Sequence, residues 1–136
     1  MDLERFVDAQ AGTYRQAVDE LRQGRKSSHW MWWIFPQVAG LGMSSISQQY
    51  AVHDLAEATA YVHHDVLGPR LRECCRALLD LVDLSAEQVL GTIDAVKLRS
   101  SMTLFAHAEP AEPVFREVLE RFYDGREDER TVSLLG

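Results

Sequence analysis

The stretch TIDAVKLRSSMTLF, residues 92–105, places an acid, an amine and two hydroxyls within eight positions. On a helix, Asp94, Lys97 and Ser101 fall at i, i+3 and i+7 and share one stripe. Such a stripe could do acid–base and anion chemistry. Asp94 would orient or deprotonate a substrate, Lys97 would hold an oxyanion or phosphate, and Ser100 and Ser101 would donate hydrogen bonds. An apolar stripe of Ala95, Leu98, Met102 and Phe105 runs beside it. Ile93, Val96 and Leu104 flank it, so the polar stripe is expected to face an interior cleft. The competing expectation is a surface ion pair worth about 0.3–0.5 kcal/mol, with hydroxyls bonded to backbone carbonyls.

A second stretch, RKSSHWMWWIFPQ, residues 25–37, sets two cations, two serines and a histidine directly before three tryptophans. A helix starting near Ser28 would point its free N–H groups back toward Arg25, Lys26, Ser27 and Ser28, the usual arrangement for holding a phosphate or carboxylate. Trp30 or Trp33 could stack on a flat ring, a contact typically worth about 1–3 kcal/mol per base. Gln37 and Ser44 would orient the ligand. Against this stands a simpler expectation: a serine cap, a solvated basic turn and three core tryptophans.

Of the 14 basic residues only Lys26 and Lys97 are lysines, and each lies in one of these two stretches. The pairing predicts that the segments fold together around a shared hollow. In that pocket Asp94 and His29 are the candidate acid–base groups. Lys26, Trp30, Trp33, Gln37, Gly42, Ser44, Lys97, Ser100 and Ser101 are the candidate ligand contacts.

Other patterns carry less chemistry. Gly40-x-Gly42-x-Ser44-Ser45 is glycine-rich but follows no strand, so it does not match a phosphate-binding loop. His53, Glu57 and His64 share a helical face without a metal-ligand spacing, and no metal or cofactor is expected. Cys75 falls on an apolar face and reads as an inert core thiol.

The elements that must position these residues are helical nearly throughout. Leu3, Phe6, Val7, Tyr14, Ala17, Val18 and Leu21 predict one amphipathic helix closed by Gly24. A short helix over His29–Phe35 is expected to be capped by Ser27 or Ser28 and stopped by Pro36. Residues 36–49 read as a long functional or mobile loop. Asp54-x-x-Glu57 predicts a capping box for a helix through about His64. Leu67, Leu71, Cys74, Cys75, Leu78 and Val82 predict an amphipathic helix. Ser85 and Gln88 open another that Gly91 closes, and Thr92 to about His107 forms the next. Val114–Tyr123 makes the last strong one, and DERTVSLL a short turn or helix. The expectation is a single all-α domain spanning residues 1–136, a compact bundle of about six to eight helices.

The bulk numbers bound the rest. With 136 residues, 46% hydrophobic and 26% charged, the chain can bury a core without staples. The adjacent Cys74 and Cys75 offer no disulfide framework, and no apolar run is long enough to cross a bilayer. The chain therefore reads as cytoplasmic, with no membrane association. The net charge of −7 sits wholly in residues 51–136, which excludes generic nucleic-acid binding.

GRKSSHWMWWIFPQ, GLGMSS, EATAYVHHDVLGPRL and DAVKLRSSMTLF, in this order and spacing, resemble a bacterial family of uncharacterised all-helical proteins. That family is catalogued as domain of unknown function 1810 and is sometimes mislabelled calpastatin. The resemblance runs from about Leu3 to Leu135 and implies an all-α single domain. Its signature falls on the same two stretches and on GLGMSS, and includes Lys26, His29, Trp30, Trp32, Gln37, Gly42, Ser44, Asp94, Lys97, Ser100 and Ser101. Trp33 stands where another aromatic is common. The family implies no reaction. The expected function is binding, with possible hydrolysis or transfer, of a small anionic ring-bearing metabolite such as a nucleotide or ADP-ribose-like compound. The alternative is a protein-interaction module, its partner unknown, with exposed aromatics and the 36–49 loop as its patch.

Overall fold

The computed structural model describes residues 2–136, and among them it contains ten helices and no strand. The helices are α1 Glu4–Ala11, α2 Tyr14–Gln23, α3 Met31–Ile34, α4 Ser45–Gln49, α5 Leu55–His63, α6 Leu67–Leu79, α7 Ala86–Leu90, α8 Thr92–Ala108, α9 Val114–Tyr123 and α10 Glu129–Leu135. The count exceeds the expected six to eight because short segments form turns of their own.

The central element is α8, which packs against α5, α7, α9 and α10. Its C-terminal half is buried on every side: Leu98 and then each residue from Ser100 to Ala106 lose nearly all solvent contact. A helix buried all round must run through the middle of a bundle. Its hydroxyls follow the rule for buried serine and threonine, with Ser100 Oγ donating to the Val96 carbonyl at 3.2 Å and Thr103 Oγ1 to that of Arg99 at 2.8 Å. The N-terminal turns differ, since Ile93 and Val96 stand in solvent. One end of α8 is therefore core and the other is surface.

The single long helix expected over residues 3–21 is two helices, broken at Gly12–Thr13. Apolar spacing continues across the break, so periodicity alone could not place it. Gly24 does close α2, in the left-handed region at φ 80°, where a side chain would be strained. The helix expected over 29–35 is one turn, Met31–Ile34, with Trp30 and not a serine at its start. Residues 36–49 are not a bare loop. Ser44 caps α4 by accepting the Ser47 N–H, and Val38 forms an isolated parallel bridge with Val52.

Elsewhere the capping signals act as read. Ser85 and Gln88 form a complete capping box. Asp54 accepts the Glu57 N–H, but Glu57 reaches the His53 N–H and the Arg5 guanidinium at 3.0 Å instead of closing the box.

Candidate functional site

The chain brings its two lysines to one carboxylate. The Lys26 N–H donates to the Val89 carbonyl at 2.8 Å, which ties the 25–30 segment to α7. Gly91 turns α7 directly into α8, and Asp94 stands in the first turn beyond. As a result Lys26 Nζ lies 3.0 Å from Asp94 Oδ2 and Lys97 Nζ 3.2 Å from Asp94 Oδ1. Two sequence-distant ammonium groups are thus bridged by one acid. All three side chains are at least three-quarters buried, where solvent screens the pairs less than at an open surface.

Trp32 completes this cluster. Its ring lies 4.1 Å from Lys97 Nζ, within cation–π range. Trp32 and Lys97 line two hollows at once. The larger, about 440 Å³, runs between Trp32, Gln37, Leu41 and Gly42 on one side and Thr92, Ile93, Val96, Lys97 and Ser100 of α8 on the other. Asp128 and Arg130 close its far end. The smaller, about 260 Å³, is lined by Lys26, His29, Trp30, Trp33, Ile46 and Asp94 among others. The two hollows adjoin at Lys97 and Trp32, which stand in the walls of both and form the waist between what are here called the two lobes of a cleft. Gly42 belongs to its wall for a steric reason: a Cβ there would meet Ser47 Oγ at 2.6 Å.

The expected anion cradle at Ser27 and Ser28 is filled by the chain itself. Glu20, buried at the end of α2, accepts the Ser27 N–H at 2.8 Å, the Ser28 N–H at 3.0 Å and the Trp30 indole N–H at 2.9 Å, as well as the Ser28 hydroxyl. Burial alone would raise the Glu20 carboxyl. The hydrogen bonds from Ser28, Ser27 and Trp30 outweigh it and hold the group down at about 2. The donors read as free for a ligand are therefore satisfied. Glu20 escaped sequence reasoning because it sits in the preceding helix; its buried face, beside Ala17 and Leu21, was the available signal.

Several expected ligand contacts move for similar reasons. Trp30 is 1% exposed, its ring in the core and its N–H on Glu20, so it has no face to offer a ring. The Trp33 indole N–H donates to Thr13 Oγ1 at 2.8 Å and its ring packs on Tyr50, which makes it mainly a packing residue. Trp32, not proposed as a contact, is the tryptophan on the main cleft. Ser44 is outside both lobes, committed to capping α4. Ser101 is fully buried with its hydroxyl unpartnered, and it lines neither lobe.

Of the acid–base candidates, Asp94 has both oxygens engaged by ammonium groups, and protonating it would break that bridge. His29 is exposed at the rim of the smaller lobe. Lys26, Gln37, Gly42, Lys97 and Ser100 line the cleft.

No group of three or more His, Cys, Asp and Glu side chains suited to a metal occurs among the described residues. His64 instead accepts the Val66 and Leu67 N–H groups through Nδ1 at 3.1 and 3.2 Å. Burial pushes the Cys75 thiol well up, as expected of an inert core residue. No helix among the described residues is long and apolar enough to cross a membrane.

This is an all-helical architecture with a lysine–aspartate–lysine cluster at its cleft, and it has a family. The chain belongs to the family described as protein of unknown function (DUF1810), whose model matches residues 1–135. It is similar to the conserved hypothetical protein Rv1873 from Mycobacterium tuberculosis, whose crystal structure was determined at 1.38 Å. The two are 51% identical, the match covers 98% of this chain and 96% of that one, and the TM-score is 0.97. No curated protein matches the chain.

Proposed function

We propose that this chain binds a small, ring-bearing anion in the two-lobed cleft, and that it is a binding protein before it is a catalyst. The observation that carries this reading is Lys97 at the waist, a side chain that lines both lobes and sets its ammonium group 4.1 Å from the Trp32 ring. An ammonium group has three donors. Asp94 takes one from Lys97, which leaves two for a ligand, while apolar walls and Trp32 would accept a flat body. Catalysis has weaker support, because Asp94 is committed to two lysines and His29 lies at the rim. The free, buried Cys74 and Cys75 support a reducing cytoplasmic setting.

The test is a thermal-shift screen of nucleotides, sugar phosphates and aromatic carboxylates against the wild type and Lys97→Ala. The reading expects stabilisation by a ring-bearing anion that Lys97→Ala abolishes. No shift from any anion, or equal shifts in both proteins, overturns it.

A second reading has one observation in its favour: Ile93 is 74% exposed and Val96 60% exposed at the cleft rim, and Met43 in the facing loop 88%. Exposed apolar side chains grouped around a cleft suit a protein partner. A pull-down whose captured partner survives Lys97→Ala but is lost on Ile93→Asp favours that role.

A further inference from the structure

The charges around the cleft narrow what it can hold. Lys26, Lys97 and Arg130 line the two lobes with Asp94 and Asp128, so the lobes together carry a net formal charge of +1. The two acids are not free to retreat. Asp94 bridges the lysines, and Asp128 Oδ2 caps α10 by accepting the Thr131 N–H at 2.9 Å and its hydroxyl at 2.6 Å. Nor are the cations equivalent. Lys26 is the more buried of the two lysines, lines only the smaller lobe and lies 5.2 Å from the Trp30 ring. Lys97 lines both lobes. The remaining wall of the larger lobe is mostly apolar, with Trp32, Leu41, Ile93 and Val96.

Resting on the binding role proposed above, we infer that the ligand is a monoanion, a flat ring bearing a single carboxylate, with Lys97 taking the carboxylate and Lys26 reserved as the positioning residue that anchors Asp94. A polyphosphate would set its second and later charges along the apolar edge of Leu41, Ile93 and Val96, where the one further cation is Arg130, exposed at the far end of the lobe beside Asp128. The chain's net charge of −7 adds a long-range field that opposes multiply charged anions. One carboxylate matches the net formal charge of +1, and an aromatic body matches the walls. This narrows the ligand away from the nucleotide and ADP-ribose-like compounds expected of the sequence.

The experiment holds the ring constant and varies its charge. Calorimetric titration of the wild-type protein compares 2-naphthamide, 2-naphthoate and 2-naphthyl phosphate, with ADP as the polyanion. The inference expects 2-naphthoate to bind at least about tenfold tighter than the neutral amide and no more weakly than either phosphate. Lys97→Met should remove the preference for naphthoate over the amide, and Lys97→Arg should restore most of it. Because the charge series is read on the unaltered protein, a poorly folded variant does not block the test. Tighter binding of naphthyl phosphate or ADP, dependent on Lys97, overturns the monoanion inference and leaves the anion-binding reading standing. No measurable binding of any ring-bearing anion overturns both.

Discussion

Residues 25–30 and the first turns of α8 each bring hydroxyls, an ammonium group and neighbouring apolar surface, yet the fold treats them in opposite ways. In the first segment a buried acid from the preceding helix, Glu20, gathers the donors of Ser27, Ser28 and Trp30. In the second, the Ile93 and Val96 edge of α8 stands in solvent, and Lys97 keeps donors to spare. The difference lies in what the rest of the fold presses against each segment, since their residue types are alike. Polar residues gathered round a buried acid build structure, while those left at a cleft edge remain available to a ligand.

The largest effects should fall on the closed segment. Trp30→Ala is expected to cost about 3–5 kcal/mol in urea unfolding, the usual range for removing a buried tryptophan. Trp32→Ala should cost about 1 kcal/mol while removing ligand-induced stabilisation. Similar losses for the two would erase the distinction between the segments.

Glu20 supplies a pH signature of the same contrast. Its carboxyl titrates at about 2 when folded, against an ordinary 4.5. A depressed carboxyl contributes stability that is fully present above the unfolded value and is lost as pH falls through the folded one. Between pH 4.5 and 2 the wild type should therefore lose about 3 kcal/mol through this group. In Glu20→Gln that part of the acid slope should be missing, and the variant should already be less stable at pH 7. Parallel unfolding free energies for the two proteins down to pH 2 would remove Glu20 from its central place.

The two lysines sharpen the comparison further. Lys26→Met takes the more buried partner from Asp94 and should cost about 1–2 kcal/mol. Lys97→Met leaves Asp94 paired with Lys26 and should cost less, about 1 kcal/mol at most, its main effect being on binding. Chemical denaturation of both variants reads the order directly.

How much of this was legible depended on how local each cause was. The Ser85–Gln88 box, Gly24 as a helix end and the buried face of α6 follow from neighbours within one turn, and they appear in the sequence as plain signals. The meeting of Lys26 and Lys97 was suggested only by their scarcity; the Val89 carbonyl that brings Lys26 to α8 is invisible to periodicity. Trp30, Trp32 and Trp33 are alike as letters. On a single turn of helix their directions differ, so one enters the core, one packs on Tyr50 and one reaches the cleft. The fate of Ser27 and Ser28 was missed because a tertiary contact supplied their partner. Helix breaks at Gly12–Thr13 and the small α4 escaped notice because short turns leave no lasting period.

The central claim is that Lys97 meets the ligand while Lys26 stays bound to Asp94. With only two lysines in the chain, incorporation of lysine labelled with ¹³C at the ε-carbon gives each its own NMR signal and leaves its donors intact, the two being separable by comparison with the Lys26 and Lys97 variants. The account predicts that titration with 2-naphthoate shifts the Lys97 signal in a saturable way and leaves that of Lys26 nearly in place. Saturable binding that moves Lys26 alone, or moves neither lysine, would contradict it.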